Sequence, residues 1–137
     1  MGTQIRPEVS KKNRYWIERH RYYELKHFVM QYPKWEKFIE TIDGYSKQPE
    51  LGLIFSNSTG DPTERAAEAR EHYSNLISMV DKAARKTDPV IGLIIFEAVV
   101  KGLSYEVIKA RIEIPCCKDT YYDLYRRFFW LLHQLRK

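Results

Sequence analysis

Apolar side chains recur at helical spacing near the start of the chain and predict a first helix over residues 11–32. Its expected buried face follows a heptad pattern of Trp16, Tyr23 and Met30, and this face is widened by Tyr15, Tyr22, Leu25 and Val29. Ser10 can serve as the N-cap, and Pro33 predicts a break near Gln31 because proline cannot continue the hydrogen-bond ladder. A short second helix, with Pro33 at its first position, is predicted over residues 33–42. Its expected buried side is Trp35, Phe38, Ile39 and Ile42.

The middle of the chain contains a loop pattern followed by two helical patterns. Residues 44–60 are rich in Gly and Ser and predict a linker loop. Asp61 and Glu64 flank Pro62-Thr63 in a capping-box pattern, which predicts a helix over residues 61–87. A further helix is predicted over residues 89–101, and it is apolar on nearly every side. We expect that helix to lie buried at the centre of the domain.

The last third of the chain has the spacing of a helix-turn-helix, predicted over residues 104–135. Ser104 is the expected N-cap of a short helix, residues 113–116 form a tight turn, and a long final helix covers residues 117–135. The short helix is expected to pack through Leu103, Val107, Ile108 and Ile112. Ile114 would fill the angle between the helices, so that the N-terminal end of the long helix can enter a major groove.

Polar side chains near the start of the final helix are the candidate DNA contacts. Lys118 can donate to guanine O6 and N7 or to a phosphate, and Asp119 can accept from cytosine N4. Tyr122 can bind a phosphate or lie against a thymine methyl group, and Arg126 and Arg127 can reach phosphates. Two alternatives are a plain helical hairpin and a helix-turn-helix that contacts protein. Asp119 and Asp123 reduce the positive charge at this end, which counts against DNA binding.

Basic and aromatic side chains alternate in residues 11–27, which carry six Lys and Arg against two Glu. Such alternation can follow a phosphate backbone or stack on bases, with Lys11, Lys12 and Arg14 as the candidate contacts. The segment could equally be an amphipathic helix with a solvated basic face. A third reading is a helix that docks on a partner, including a second copy of the chain.

Composition excludes some classes of protein without choosing a function. The 137 residues are 44% hydrophobic and carry a net charge of +5, which fits a folded, mildly basic domain. The positive excess lies at the two ends, in residues 1–50 and 118–137. A charge of this size is also common in domains that bind no nucleic acid.

Enzyme and metal signatures are missing from the sequence. It contains no Gly-rich phosphate loop and no nucleophile elbow, and its four histidines are scattered. Cys116 and Cys117 are adjacent, which opposes a disulfide between them, and they lack the C-x-x-C spacing of a zinc site. We therefore expect no catalytic residues, no metal and no cofactor. No signal peptide or membrane span is evident, so we expect a cytoplasmic protein.

Several short motifs resemble small phage and prophage proteins of Gram-positive bacteria. They are KKNRYWIE at 11–18, YPKW at 32–35, GDPT at 60–63, GLSYE at 102–106, IPC at 114–116, KDTYYD at 118–123 and YRRFFWLL at 125–132. These motifs look like those of the RinA/ArpU type of late-operon transcriptional regulators, which are similar in turn to the DNA-reading region of sigma factors. The resemblance implies a phage-encoded protein that acts in the cytoplasm of a bacterial host.

The sequence as a whole predicts an all-α protein, a small helical domain with a C-terminal helix-turn-helix and a long final helix. Residues 1–43 are the expected basic aromatic arm, 44–60 the linker, and 61–137 the helical domain. The predicted function is sequence-specific binding of double-stranded DNA as a phage transcriptional regulator. A homodimer is expected because one such unit buries little DNA surface. Two alternatives remain open: a phage inhibitor of a host protein, such as RNA polymerase or a CRISPR nuclease, and a packaging protein resembling a terminase small subunit.

Overall fold

The computed structural model describes residues 11–44 and 62–137, and within these ranges the chain forms six helices and no strand. They are α1 (Arg19–Met30), α2 (Tyr32–Asp43), α3 (Pro62–Thr87), α4 (Ile91–Lys101), α5 (Tyr105–Arg111) and α6 (Lys118–Leu135). The all-α prediction is confirmed for this part of the chain. The predicted caps Ser10 and Asp61 and residues 45–60 of the predicted loop 44–60 lie outside the described residues. None of the described helices is long and apolar enough to span a membrane.

Within the described residues, the chain divides into two compact units, one made of residues 11–31 and 79–137 and the other of residues 32–44 and 62–78. In the first unit, α1, α4 and α6 pack against one another. The side chains at most 1% exposed in these three helices are Tyr22, Leu25, Val29, Ile95, Ala98, Tyr121, Phe128, Phe129 and Leu132. Burial of each large apolar side chain contributes about 1.5 to 3 kcal/mol, so this cluster is the main source of the unit's stability. The predicted segment 1–43 contributes α1 to the first unit and α2 to the second.

The first helix begins eight residues later than predicted. Residues 11–15 form turns instead, because Asn13 accepts a hydrogen bond from the Tyr15 backbone N–H at 2.8 Å through its side chain, and residues 16–18 are irregular. The N-cap of α1 is Glu18, whose carboxylate accepts from the backbone N–H groups of His20 and Arg21. A local side-chain acceptor therefore sets the start of the helix, and the predicted helical start at residue 11 is wrong.

The buried face of α1 agrees only in part with the prediction. Tyr22, Leu25 and Val29 are buried as predicted, together with Phe28, whereas Met30 of the heptad is 40% exposed. Trp16 precedes the helix altogether. The later start of α1 explains this difference, because a heptad that included Trp16 required the helix to extend to that residue.

The close packing of the start of α4 against the end of α3 requires a glycine. Asp88 stops one helix and starts the next, since its side chain accepts from the backbone N–H groups of Val90 and Ile91 at 2.9 and 2.8 Å. Gly92 then meets α3 so closely that a Cβ there would lie 1.9 Å from the carbonyl oxygen of Ala84. The position of α4 agrees with the prediction, but its expected burial on nearly every side is wrong, because Leu93 is 53% exposed.

The second unit contains α2 and the first part of α3. Trp35 is buried, as predicted, but Phe38 is 45% exposed and only rests one face against Tyr73, with ring centroids 4.8 Å apart. At the end of α2, Asp43 pairs with Arg70 of α3 at 2.6 Å. The hydrogen bond from Arg70 lowers the pKa of the Asp43 carboxyl group. An ion pair and one aromatic contact thus join these two helices.

Candidate nucleic-acid interface

The predicted reading region corresponds to α5, a six-residue connection and α6, all in the first unit. Gly102 ends α4 in the left-handed conformation, with φ of 67°, which glycine adopts without strain. Ser104 then caps α5 by accepting from the backbone N–H of Val107, as predicted. The helix start is therefore fixed by two local devices within three residues.

Tyrosines join α5 to α6. The Tyr105 ring lies 5.0 Å from that of Tyr121 and 5.9 Å from that of Tyr122, measured between centroids. Ile108 is buried as expected, but Val107 and Ile112 are each 40% exposed, so their predicted packing role is wrong. The sequence pattern did not predict Tyr105 as a packing residue, because Tyr105 immediately follows the N-cap, a position that is usually at the surface.

Tyr122 does not face outward. Its side chain is only 6% exposed and stands edge-on to the Tyr121 ring, 5.5 Å away between centroids. Burial raises the pKa of the Tyr122 hydroxyl. The prediction of Tyr122 as an outward-facing DNA contact is therefore wrong, because the face of α6 that packs against α5 includes this position.

Lys118 is exposed at the start of α6 but is paired with a carboxylate. Its Nζ donates to Glu106 of α5 at 2.6 Å and lies 5.9 Å from the centroid of each of the two neighbouring tyrosine rings, Tyr105 and Tyr122. This hydrogen bond raises the pKa of Lys118 and lowers that of Glu106. The lysine charge is thus partly neutralised within the protein.

The remaining polar side chains of the first turns of α6 line one shallow depression. They are Asp119, Thr120, Asp123 and Arg126, with the edge of Tyr122 beside them. Asp119 and Thr120 are exposed and Asp123 and Arg126 are half-buried. These groups supply hydrogen-bond donors and acceptors, but their two carboxylates outnumber the single guanidinium. Two of the predicted contacts, Asp119 and Arg126, therefore share one surface.

Cys117 stands at the N-cap of α6 and makes no side-chain hydrogen bond to the helix backbone. Its Sγ lies 3.2 Å from the Thr120 Oγ1, and this hydrogen bond is the main cause that lowers the pKa of the thiol. Burial raises the pKa of the neighbouring Cys116 thiol. Both cysteines are free, as expected for adjacent thiols.

Arg127 contacts the protein itself. Its guanidinium donates to the Tyr15 hydroxyl at 3.2 Å and to the backbone carbonyl of Lys86 at 3.1 Å, near the last residue of α3. Both acceptors are neutral, so the positive charge of Arg127 is not balanced by either contact. The residue predicted to reach a phosphate thus also holds residues 11–18 and the end of α3 against α6.

The N-terminal basic residues lie in the same unit as α6. Arg14 stacks over the Tyr15 ring, with its guanidinium carbon 4.7 Å from the centroid, and Lys11 lies 5.9 Å from the Trp16 ring. Lys12 is exposed. The structure therefore brings Arg14 close to Arg127 through Tyr15, while Lys11 and Lys12 precede this contact along the chain.

Sequence reasoning missed three cations at the C-terminal end of α3. Lys82, Arg85 and Lys86 are all exposed, and their spacing of three and four residues puts them on one side of the helix. We refer to these three residues as the α3 cationic patch. The spacing was visible in the sequence, but only the contact between Arg127 and the Lys86 carbonyl connects the patch to α6.

Within the described residues, no three His, Cys, Asp or Glu side chains lie close enough together to hold a metal ion. No family model, curated protein or solved structure matches the chain.

Proposed function

We propose that the protein binds double-stranded DNA, and that α5, the connection and α6 act as a helix-turn-helix in which the first turns of α6 read base edges. The observation that carries the proposal is the exposed polar end of α6, which follows a short capped helix packed against it. An exposed helix end with donors and acceptors is the element that enters a major groove in proteins of this kind.

The side chains proposed to read bases are Lys118, Asp119, Thr120 and Arg126. Asp119 can accept from cytosine N4, and Arg126 can donate to guanine or to a phosphate. Lys118 becomes available when its ion pair with Glu106 is replaced by a contact with DNA. The finer assignment, a phage or prophage transcriptional regulator acting as a homodimer, follows from the sequence resemblance and stays part of this proposal.

The experiment is fluorescence anisotropy of the wild-type protein with a random-sequence duplex pool, repeated over a range of salt concentrations. We expect binding that weakens steeply with salt, and enrichment of one sequence when bound duplexes are selected from the pool. Lys118→Ala and Arg126→Ala should each reduce the affinity for the selected sequence. Unchanged affinity in both variants would show that α6 does not read DNA in this way.

A second candidate function is binding to a host protein, and it is favoured by exposed apolar side chains on one helix. Val90 and Leu93, at the start of α4, are 57% and 53% exposed. Such side chains can also lie between two copies of the chain. Capture of a host protein by the wild type but not by Leu93→Ser, without binding to duplex DNA, would favour this function over the first.

A further inference from the structure

The reading end of α6 lacks the positive charge that duplex binding requires. Asp119 and Asp123 oppose Arg126 there, and Lys118 is paired with Glu106 at 2.6 Å. Most of the affinity of proteins for duplex DNA comes from cations that neutralise phosphates, whereas base contacts supply the sequence preference. If this protein binds DNA as proposed, the cations that contact phosphates must lie elsewhere.

The α3 cationic patch meets this requirement. Within residues 11–44 and 62–137, Lys82, Arg85 and Lys86 form no ion pair, whereas Lys118, Lys101, Arg70 and Arg21 each pair with a carboxylate. Two more cations lie next to the patch. Arg127 donates only to neutral oxygens, one of them the Lys86 carbonyl, and Arg14 stacks on the Tyr15 ring that Arg127 contacts.

The acidic residues near this region do not cancel its charge. Asp88 follows the patch closely, but its carboxylate accepts from two backbone N–H groups at the start of α4. Asp81 precedes the patch and is half-buried. Lys82, Arg85 and Lys86, together with Arg14 and Arg127, are five cations. They exceed the three nearby carboxylates, which are those of Asp81, Asp88 and Asp123, one turn before Arg127 on α6, and they produce a local positive field.

The distance along α6 from its first turns to Arg127, which contacts the Lys86 carbonyl, fits a duplex. Thr120 and Arg127 are seven residues apart and so face the same side of α6, separated by about 10 Å along its axis. The major groove of B-DNA is about 12 Å wide. If a side chain of the first turns of α6 lies in the groove, Arg127 therefore lies close to the phosphate backbone at the edge of that groove.

We propose that the α3 cationic patch, with Arg14 beside it, binds the phosphate backbone that flanks the groove entered by α6. This inference rests on the proposed DNA-binding function and adds a second, sequence-independent contact surface to it. The patch would supply affinity for any duplex, while α6 would supply the preference for one sequence.

The test compares Arg85→Gln/Lys86→Gln with the matched control Lys34→Gln/Lys37→Gln, which removes two exposed charges from α2. Anisotropy is measured with the random-sequence duplex pool as a function of salt. We expect the patch variant to lose about tenfold or more in affinity at low salt, and the slope of log affinity against log salt to fall by about 1.8. The control variant should bind like the wild type.

A second measurement does not depend on the variants. Acetylation of wild-type lysines is followed by mass spectrometry with and without the duplex pool, and Lys82 and Lys86 should be protected while Lys34 and Lys37 react unchanged. Protection of neither patch lysine, or a patch variant with the wild-type salt slope, overturns the inference.

The outcomes separate this inference from the proposed function. If Lys118→Ala and Arg126→Ala lose affinity while Arg85→Gln/Lys86→Gln binds like the wild type, α6 remains the reading helix and the phosphate-binding role of the patch is rejected. Loss in the patch variant alone would support the patch and reject the reading role of α6. A wild type that binds anionic vesicles but no duplex would overturn both.

Discussion

The Nε of Arg21 donates a hydrogen bond to Nδ1 of His133 at 3.0 Å and thereby ties α1 to the last turn of α6. The same guanidinium pairs with Glu24 and donates to the backbone carbonyl of Arg136. An imidazole accepts at Nδ1 only while that nitrogen carries no proton, so the folded protein requires neutral His133. Burial, together with the charges of Arg21 and Lys137, lowers the pKa of His133 below its ordinary value of 6.5.

This histidine makes stability depend on pH in the mildly acidic range. Because its pKa is lower in the folded state than in the unfolded state, the unfolded chain binds more protons as the pH falls below 6.5. The contribution of His133 to the free energy of unfolding is therefore fully present above that pH and declines as the pH falls toward the folded-state pKa. Urea unfolding at about pH 7.5 and about pH 5.5 measures the loss.

His133→Asn is the informative variant, since its side-chain oxygen can replace Nδ1 as an acceptor but does not titrate. We expect it to lose less free energy of unfolding than the wild type between the two pH values. His72→Asn, at an exposed position on α3, serves as the control and should keep the wild-type dependence. Equal losses in the wild type and His133→Asn would contradict the assignment.

Three glycines should respond differently to alanine. A Cβ at Gly92 would overlap the Ala84 backbone, so we expect Gly92→Ala to destabilise the fold by about 3 kcal/mol. Gly102 is free of close neighbours but has positive φ, and Gly102→Ala should cost about 1 to 2 kcal/mol. Gly44→Ala, where a Cβ makes ordinary contacts, should change stability by less than about 0.5 kcal/mol. Chemical unfolding of the three variants tests this order, and a larger effect at Gly44 than at Gly92 would refute it.

Two adjacent arginines on α6 should contribute differently to the stability of the fold. Arg127→Met removes the hydrogen bonds to Tyr15 and to the end of α3, and we expect it to lower the free energy of unfolding by about 1.5 kcal/mol. Arg126→Met should leave stability nearly unchanged, because no hydrogen bond or ion pair of its side chain occurs within the described residues. If Arg126→Met proved the more destabilising of the two, the structural role given to Arg127 would be incorrect.

Removal of Glu106 should strengthen DNA binding under the proposed function. Glu106→Gln removes a negative charge from the reading end and frees Lys118 for contact with DNA, so affinity at low salt should rise by up to about tenfold. Glu97→Gln is the matched control, because it frees Lys101 from an ion pair of 2.7 Å on α4. Anisotropy with the random-sequence duplex pool measures both. Weaker binding of Glu106→Gln, or an equal gain in both variants, would argue against Lys118 as a DNA contact.

Local signals in the sequence located most of the helices. The boundaries of α5 agree with prediction because Ser104 caps the helix through its own side chain. The break near Gln31 also agrees, since proline acts on the backbone beside it. Both effects depend on a few neighbouring residues and no distant contact. The start of α1 could not be placed in this way, because two local acceptors, Asn13 and Glu18, competed with the apolar pattern.

Tertiary contacts decided which polar and aromatic side chains remain available for a partner. Tyr122 was predicted at the surface and is buried against the tyrosines of α5 and α6, while Phe38 was predicted in the core and is half exposed. Periodicity gives the faces of a helix, but only a neighbouring helix determines which face is covered.

By itself, the sequence determined an all-helical chain, the positions of α3 to α6 and the polar start of the final helix, because caps, prolines and periodicity are local properties. The tertiary structure alone decided that Lys118 is paired with Glu106, that Arg127 holds the end of α3, and that the α3 cationic patch lies beside α6. These relationships join residues 12 and 41 positions apart along the chain. They arise when helices pack and bring distant side chains within a few ångströms, and no pattern of neighbouring residues encodes that contact.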